Sequence, residues 1–345
     1  MNATRPATAE ANRQWVLVQR PIAVPRPADF ALVEAAIARP APGQVLLRNH
    51  YLAMDPAIRN VLGQGGAYAE PLPLGQPVRG MVLGQVVASK DPALAEGDFA
   101  WGFGTWSDYS CTAAGGLVRV PPEGDLAMHL HHYGTIGLTA AYGLYEIAGL
   151  RAGDTVLVTG AAGAVGSMAG QLARAAGAGR VVGIAGGPVK CARAVRDYGY
   201  DLCLDYKAGT DLARALAVAV PEGIDVVFDN VGGTQLEMAI ENIAKNGRIA
   251  LCGMISGYGA ASPAPGPSNL WNLVARTAQM RGFRVTDVLA DEAVRQALLQ
   301  PIAELVAAGV LKADIDVRDG LELVPDAFAA LFDGSNAGRL LVRLS

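Results

Sequence analysis

The sequence predicts an α/β protein in which a doubly wound parallel sheet is inserted into a β-rich domain. Three observations predict this fold: a glycine turn at 156–166, strand-like and helical runs that alternate from there to about residue 286, and short strand-like runs towards both ends. Alternating strands and helices favour a parallel sheet with helices on both faces. We expect the parallel-sheet domain at 128–309 and the β-rich domain at 1–127 and 310–345.

The composition excludes several classes of protein. The 345 residues are enough for about two domains with proper cores. Half of them are apolar, and 28 Lys+Arg stand against 32 Asp+Glu for a net charge of −4, which gives no electrostatic reason to expect nucleic acid or a membrane as a partner. No apolar run has the length of a membrane span, and the N-terminal stretch MNATRPATAEANRQW lacks the apolar segment of a signal peptide. We therefore expect a soluble, cytoplasmic protein.

The four cysteines are scattered without C-x-x-C spacing. This pattern predicts neither a disulfide framework nor a structural zinc site.

The first third of the chain has the pattern of a β-rich module. Residues 1 to about 15 are expected to be disordered. Short strand-like runs, interrupted by Pro and Gly, follow at 15–20, 30–37, 44–55, 78–89, 99–104 and 116–121. After residue 122 the pattern changes, and Leu126–Ile147 is predicted to be largely helical.

The remaining elements follow in order along the chain. The predicted strands are Val156–Thr159, Val181–Ala185, Leu202–Asp205, Ile224–Asp229, Arg248–Gly253 and Phe283–Thr286. Helices are predicted at Ala164–Ala176 and at about Glu292–Ala308. The tail, 315–344, returns to a strand, a helix and a strand.

The glycine turn VLVTGAAGAVG has the residues that a dinucleotide site needs. A buried strand ends at Gly160, glycines recur at Gly163 and Gly166, and good helix formers follow. Small residues at such a turn let the backbone approach a pyrophosphate, whose charge is met by N–H groups at the helix N-terminus. The alternative is tight strand–helix packing without a ligand.

The next strand is followed by residues that favour a phosphorylated cofactor. About twenty residues after the turn, an NAD enzyme presents an acid to the ribose 2′-hydroxyl. This chain has Gly186-Gly187-Pro188-Val189-Lys190 there, with no carboxylate to repel a phosphate and a lysine to pair with it. The segment therefore predicts NADP(H). Lys190 as a solvated lysine at a helix start is the alternative, and Arg193 is expected either to be a second cation or to face water.

Four stretches resemble a known family: YLAMDPAIR (51–59), GAAGAVG with VVGIAGGPVKC (160–191), FDNVGG with ALCGMISGY (228–258) and GSNAGRLLV (334–342). Together with the architecture, they make the chain similar to the medium-chain dehydrogenase/reductase superfamily. Within it the chain resembles the zinc-free, NADPH-dependent alkenal/one double-bond reductases, which include prostaglandin and leukotriene reductases and bacterial curcumin reductase.

The resemblance implies a fold, an activity and an assembly. The fold is a Rossmann domain inserted in a GroES-like catalytic domain, and the assembly is a homodimer. The activity is reduction of the C=C bond of α,β-unsaturated aldehydes and ketones, by hydride transfer from NADPH to the β-carbon. A quinone reductase of the same superfamily and a catalytically silent nucleotide-binding protein are the alternatives.

The resemblance also implies roles for particular residues. Tyr258 is expected beside the nicotinamide, where its phenol donates to the enolate oxygen, relays the proton or only packs on the substrate. Tyr51 is expected to be a second pocket tyrosine that binds the substrate. The expected cofactor contacts are Thr139, Gly160, Ala162, Gly163, Ala164, Val165, Gly166, Gly186, Lys190, Tyr206, Asn230, Cys252, Ser256 and Asn336.

Some of these contacts have an expected place on the cofactor. Lys190 and Tyr206 would flank the adenosine 2′-phosphate, and Asn230 would meet the ribose–nicotinamide half. Asn336 would reach back from the other domain. Thr139 would contact the nicotinamide amide, or would only cap and pack its helix.

No metal is expected in this chain. Where zinc enzymes of the superfamily carry G-H-E, the chain has Arg79-Gly80-Met81-Val82, and their four-Cys lobe is absent. His129, His131 and His132 have no cysteine or carboxylate nearby in the sequence, so surface or packing roles are expected for them.

Overall fold

The computed structural model describes residues 11–63, 70–209, 211–258 and 266–344. The disorder expected for the first ten residues lies outside them. From Asn12 to residue 15 that expectation is wrong, because the first strand begins at Asn12. The Asn12 side chain donates to the carbonyl oxygen of Tyr109 at 3.0 Å and accepts from its amide at 2.9 Å, which fixes the start of the strand.

Strands occur throughout the described part of the chain. They are β1 (Asn12–Leu17), β2 (Phe30–Ala35), β3 (Gln44–Ala53), β4 (Arg79–Ser89), β5 (Phe99–Thr105), β6 (Tyr109–Ala113), β7 (Leu117–Val120), β8 (Thr155–Thr159), β9 (Arg180–Ala185), β10 (Leu202–Asp205), β11 (Ile224–Asp229), β12 (Ile243–Leu251), β13 (Gln279–Gly282), β14 (Ile315–Asp319) and β15 (Arg339–Arg343).

Most helices lie in the second half of the chain. The α-helices are α1 (Arg59–Leu62), α2 (Thr135–Ala141), α3 (Ala164–Ala175), α4 (Pro188–Asp197), α5 (Leu212–Ala219), α6 (Gly233–Glu241), α7 (Ile255–Tyr258), α8 (Trp271–Ala275), α9 (Val285–Leu289), α10 (Glu292–Ala307) and α11 (Val324–Asp333). None of the helices formed by the described residues combines the length and the apolar character of a membrane span.

The chain divides into two compact units. The first contains Met1–Leu126, Val317–Ser335 and Leu340–Ser345, and the second contains Ala127–Asp316 and Asn336–Arg339.

The first unit is built on a largely antiparallel sheet with the strand order β14-β15-β3-β4-β5-β7, and β6 pairs with β3. Its core contains an aromatic cluster in which Trp106 lies 5.5 Å from Phe30 and 5.2 Å from Phe328, measured between ring centroids. Phe328 comes from α11. The predicted strand, helix and strand of the tail are confirmed as β14, α11 and β15.

The second unit contains a six-stranded parallel sheet with the order β10-β9-β8-β11-β12-β13. This is the order of a doubly wound dinucleotide-binding sheet, so the predicted fold class is confirmed. The strand order reverses between β8 and β11, and the carboxyl ends of these two neighbours meet at one edge of the sheet. In open α/β sheets this reversal point is where ligands bind.

One predicted strand is wrong. The strand expected at Phe283–Thr286 is β13, which ends at Gly282, and α9 follows. The ring of Phe283 packs against Phe228 and Tyr142, with centroid distances of 6.1 and 5.7 Å, so this apolar residue serves side-chain packing outside the strand. The strand itself was missed because it lies at the edge of the sheet and carries polar residues.

The segment Leu126–Ile147 is largely helical, as predicted. A 3₁₀ helix at Leu126–Leu130 comes first, then α2, and a π-helix at Tyr142–Ile147 completes the segment.

Candidate cofactor and active site

The glycine turn after β8 has the geometry that a pyrophosphate requires. Gly160 has φ = +63°, and its carbonyl accepts the amide of Gly163 at 2.9 Å. A Cβ on Gly166 would lie 2.8 Å from the carbonyl carbon of Gly160, so only glycine fits there. Helix α3 starts at Ala164 without a side-chain cap. Its first-turn amides are therefore available to an anion, and residues 162–166 fit a dinucleotide phosphate.

Two further predicted residues meet at the end of β9. A Cβ on Gly186 would lie 2.9 Å from the ring of Tyr206, so the ring covers this glycine. The amide of Gly187 donates to the Asp205 carboxylate at 2.7 Å, and this bond ties the start of α4 to the end of β10. Lys190 lies in the first turn of α4. The structure therefore brings Gly186, Lys190 and Tyr206 into one place.

A second basic residue of α4, Arg193, forms an ion pair. Arg193 pairs with Asp314 at 2.8 Å, and this hydrogen bond raises the pKa of the arginine. The same carboxylate accepts the hydroxyl of Tyr198 at 2.5 Å. Arg193 is thus held by an ion pair and does not simply face water, and its expected role as a second cation stays a prediction.

Asn230 lies beside the glycine turn. It follows β11, and its side-chain amide donates to the carbonyl oxygen of Thr159 at 2.7 Å. Its backbone amide donates to the Thr159 hydroxyl at 2.9 Å. A Cβ on Gly160 would be 3.5 Å from the Cβ of Asn230. The two predicted cofactor residues, Gly160 and Asn230, are therefore neighbours.

Cys252 and Ser256 lie in the segment that follows β12. The amide of Cys252 donates to the carbonyl oxygen of Asp229 at 2.8 Å. Burial raises the pKa of the Cys252 thiol to about 12, so the thiol is neutral rather than a thiolate nucleophile. The hydroxyl of Ser256 donates to the carbonyl oxygen of Val231 at 2.6 Å. In the structure this hydroxyl joins two loops.

Tyr258 ends the short helix α7, and its phenol folds back over the same loop. The phenol oxygen accepts the backbone amide of Met254 at 3.4 Å. A phenol oxygen can accept one hydrogen bond and donate another. The segment that carries Tyr258 is bonded to the one that carries Asn230, because the carbonyl of Asn230 accepts the amide of Ile255 at 3.3 Å.

Asn336 lies in the second unit, not in the other domain as the resemblance implied. Residues 336–339 group with the parallel sheet, and Gly338 forms a parallel bridge with Gly163 of the glycine turn. The Asn336 side chain donates to the carbonyl oxygen of Gly338 at 3.2 Å. The returning segment therefore runs beside the predicted phosphate turn.

The hydroxyl of Thr139 is used inside its own helix. It is buried and donates to the carbonyl oxygen of Thr135 at 2.6 Å. This contact matches the packing alternative for Thr139.

Tyr51 belongs to the first unit, on β3. In the β3–β15 ladder it lies opposite Arg343, whose pKa is raised first by Asp319 and to a smaller extent by the Tyr51 phenol.

The histidine cluster consists mainly of packing residues. His131 and His132 are fully buried, with ring centroids 4.6 Å apart. Burial lowers the pKa of His131 to about 3, so its ring is neutral. Within the described ranges, no group of three His, Cys, Asp or Glu side chains is arranged to hold a metal ion.

The sequence did not predict the polar residues at strand ends whose side chains bond to these loops. Asp229 and Thr159 end adjacent strands, and Asp205 ends β10. Their signal was a polar residue directly after a buried apolar run, at the edge where the carboxyl ends of the strands meet.

Fold and site together define a dinucleotide-dependent oxidoreductase. Residues 13–120 match the family described as N-terminal domain of oxidoreductase, and residues 164–304 match the family described as zinc-binding dehydrogenase.

Relatives from several organisms match nearly the whole chain. The NADPH-dependent curcumin reductase of Escherichia coli K12 is 34% identical over 97% of this chain and 98% of its own. Prostaglandin reductase 1 of Bos taurus is 36% identical over 96% and 98%. The NADP(+)-dependent 2-alkenal reductase of Nicotiana tabacum is 33% identical over 97% and 98%. The crystal structure of CurA from Vibrio vulnificus in complex with NADPH is 35% identical and superposes with a TM-score of 0.89, covering 96% of this chain and 99% of that one.

The chain belongs to the medium-chain dehydrogenase/reductase superfamily, in the group of NADPH-dependent double-bond reductases that contains these relatives. The similarities confirm the predicted family and the predicted cofactor, NADP(H).

Proposed function

We propose that this chain reduces the C=C bond of α,β-unsaturated aldehydes and ketones with NADPH, delivering hydride to the β-carbon without zinc. The observation that carries the proposal is one bonded loop system, which joins Asn230 beside the glycine turn to the phenol of Tyr258. Whole-length similarity to curcumin, prostaglandin and 2-alkenal reductases supports it.

The cofactor end of the proposal rests on the second unit. The first-turn amides of α3 bind the pyrophosphate, and Gly166 keeps the backbone close enough for that contact. Lys190 pairs with the 2′-phosphate, and the Tyr206 ring forms a wall for the adenosine end. The Asn230 side chain, whose amide group is held by Thr159, presents its oxygen to the ribose–nicotinamide half.

The catalytic roles are assigned to two tyrosines. Bound NADPH supplies the hydride that reaches the β-carbon. As that carbon gains the hydride, negative charge develops on the substrate's carbonyl oxygen, and the Tyr258 O–H donates to that oxygen. The amide of Met254 holds the phenol oxygen in place for this donation. Tyr51 binds the substrate, and a proton from Tyr258 or from water completes the saturated carbonyl at the α-carbon.

The direct test is a turnover panel. The protein is incubated with NADPH and enals, enones, quinones and matched saturated ketones, and each product is identified by mass spectrometry and NMR. We expect saturated aldehydes and ketones from the enals and enones, and no reaction with the saturated ketones. Turnover of quinones alone would make the chain a quinone reductase, and alcohols from saturated ketones would contradict the proposed chemistry.

We also propose a homodimer. Strand β13 is one of the two edge strands of the parallel sheet, so its outer edge offers backbone N–H and C=O groups to a second copy. Light scattering after size exclusion is expected to give about twice the 35.7 kDa chain mass. Met280→Pro removes a backbone donor from β13 and is expected to shift the protein towards monomer. A dimer that survives this change would show that β13 is not the contact.

A cytoplasmic location completes the proposal. The four cysteines are free, as is usual in a reducing compartment. Cell fractionation tests this location, and recovery outside the cytoplasm would overturn it.

A further inference from the structure

A buried acid connects the two loops of the predicted nicotinamide side. The last register pair between β11 and β8 is Phe228 with Val158, so Asp229 and Thr159 come next, side by side. Both are fully buried, and the Thr159 hydroxyl donates to the Asp229 carboxylate at 2.6 Å. A buried carboxylate is costly unless hydrogen bonds satisfy it. We therefore ask what this buried carboxylate does at the point where the strand order of the sheet reverses.

The carboxylate holds the first loop. One of its oxygens accepts the amides of Val231 and Gly232, each at 3.2 Å, and the other accepts the Gly232 amide at 3.0 Å. Thr159 holds Asn230 between these contacts, through its hydroxyl and its carbonyl oxygen. Every residue from 230 to 232 is therefore tied to the Asp229–Thr159 pair.

The same residue holds the second loop through its backbone. The carbonyl oxygen of Asp229 accepts the amides of Cys252 and Gly253 at 2.8 and 3.2 Å. The carbonyl of Val231, in the first loop, accepts both the amide and the hydroxyl of Ser256. The segment that ends at Tyr258 thus rests on a loop that the Asp229 carboxylate fixes.

We propose that Asp229 and Thr159 form a positioning pair that sets Asn230 and Tyr258 for cofactor and substrate. The proposal rests on the proposed function above. Neither side chain needs to touch a ligand, because each acts through the loops that it holds. A displacement of about 1 Å in such groups is enough to cost roughly 100-fold in rate.

Isosteric substitutions test the pair. Asp229→Asn keeps the shape but turns an NH₂ group towards backbone donors, and Thr159→Val removes the hydroxyl that bonds to Asp229 and Asn230. Fluorescence titration with NADPH, without substrate, is expected to show a dissociation constant roughly tenfold higher for both variants. Thr159→Ser keeps the hydroxyl and is expected to stay within about twofold of wild type.

A matched control lies at the opposite end of the same sheet. Asp154 pairs with Arg248 at 2.6 Å and is also largely buried. Asp154→Asn is expected to lower the melting temperature and to leave the NADPH dissociation constant unchanged. With an enone as substrate, Asp229→Asn and Thr159→Val are expected to have a lower kcat and a higher KM for NADPH. Asp154→Asn, which only weakens the fold, is expected to change neither value.

The NADPH titration does not depend on the identity of the substrate. If Asp229→Asn does not fold, the contrast between Thr159→Val and Thr159→Ser carries the test. Normal NADPH binding and normal kcat in Thr159→Val, with a melting temperature lowered as in Asp154→Asn, would reduce the pair to a structural role. Because the titration contains no substrate, a wrong assignment of the enone class leaves its result unchanged and shows only in the turnover panel.

Discussion

Replacing Lys190 by alanine tests the choice between NADPH and NADH. Lys190 lies partly buried in the first turn of α4, and Arg193, one turn on, is already paired with Asp314. A charge-assisted hydrogen bond contributes about 1.5–3 kcal/mol. Because solvent reaches this lysine, we take the lower end, about 1.5 kcal/mol, which corresponds to roughly tenfold in the dissociation constant. NADH has no 2′-phosphate, so its affinity is expected to stay the same.

The assay is a fluorescence titration of each variant with NADPH and with NADH. Arg196→Ala is the matched control, since Arg196 is on the same helix, is exposed, and pairs with Asp197 at 2.6 Å. This control is expected to bind both cofactors as the wild type does. An equal loss of both cofactors in Lys190→Ala would mean that the lysine supports the fold, and no loss of either would place the 2′-phosphate elsewhere.

Three further predictions address catalysis, cofactor binding and stability. Tyr258→Phe is expected to lower kcat for enones roughly 100-fold while NADPH binding stays normal; undiminished turnover would remove Tyr258 from the chemistry. Gly166→Ala is expected to abolish NADPH binding in titration, because the added Cβ collides with the backbone of Gly160, and normal binding would refute the proposed phosphate turn. Burial lowers the folded-state pKa of His131 from 6.5 to about 3, so its contribution to stability is complete above pH 6.5 and is lost as the pH falls towards 3. Each pH unit below 6.5 removes about 1.4 kcal/mol, so about 2 kcal/mol is lost by pH 5; thermal unfolding at pH 8, 6.5 and 5 measures this loss, and a His131→Gln variant with the same pH dependence as wild type would contradict it.

Local patterns predicted much of the second unit. Buried parallel strands are covered on both faces, so they read as continuous apolar runs, and Ile224–Asp229 was predicted with the bounds that the structure shows. The bounds of the partly buried edge strand Leu202–Asp205 were also predicted. The glycine turn was predictable because its spacing is dictated by backbone contacts between Gly160 and Gly166, which lie close in sequence.

Features that depend on distant partners were not predictable. The edge strand β13 has no apolar alternation, and Phe283 looked like part of a strand because its partners, Phe228 and Tyr142, are remote in sequence. The role of Arg193 depends on Asp314, more than a hundred residues away. The sequence shows both charges but not their pairing.

The predicted site residues also divide into those that follow from a local pattern and those that depend on distant contacts. Gly186 and Lys190 followed from a local segment, and the structure brings Tyr206 to them. The Asp229–Thr159 pair joins strands seventy residues apart, so only the strand order of the folded sheet reveals it. Asn336 groups with the second unit, where the neighbouring Gly338 bridges Gly163 of the glycine turn, and this contact joins distant segments of the chain.

Hydride delivery to the β-carbon of a conjugated carbonyl is the central claim, and the position of a deuterium label tests it most directly. An enone is reduced with NADPH that carries deuterium on the transferring face of the nicotinamide C4, and the product is examined by NMR. We predict a saturated ketone with deuterium at the β-carbon and a solvent-derived proton at the α-carbon. Deuterium at the carbonyl carbon of an allylic alcohol would contradict the account.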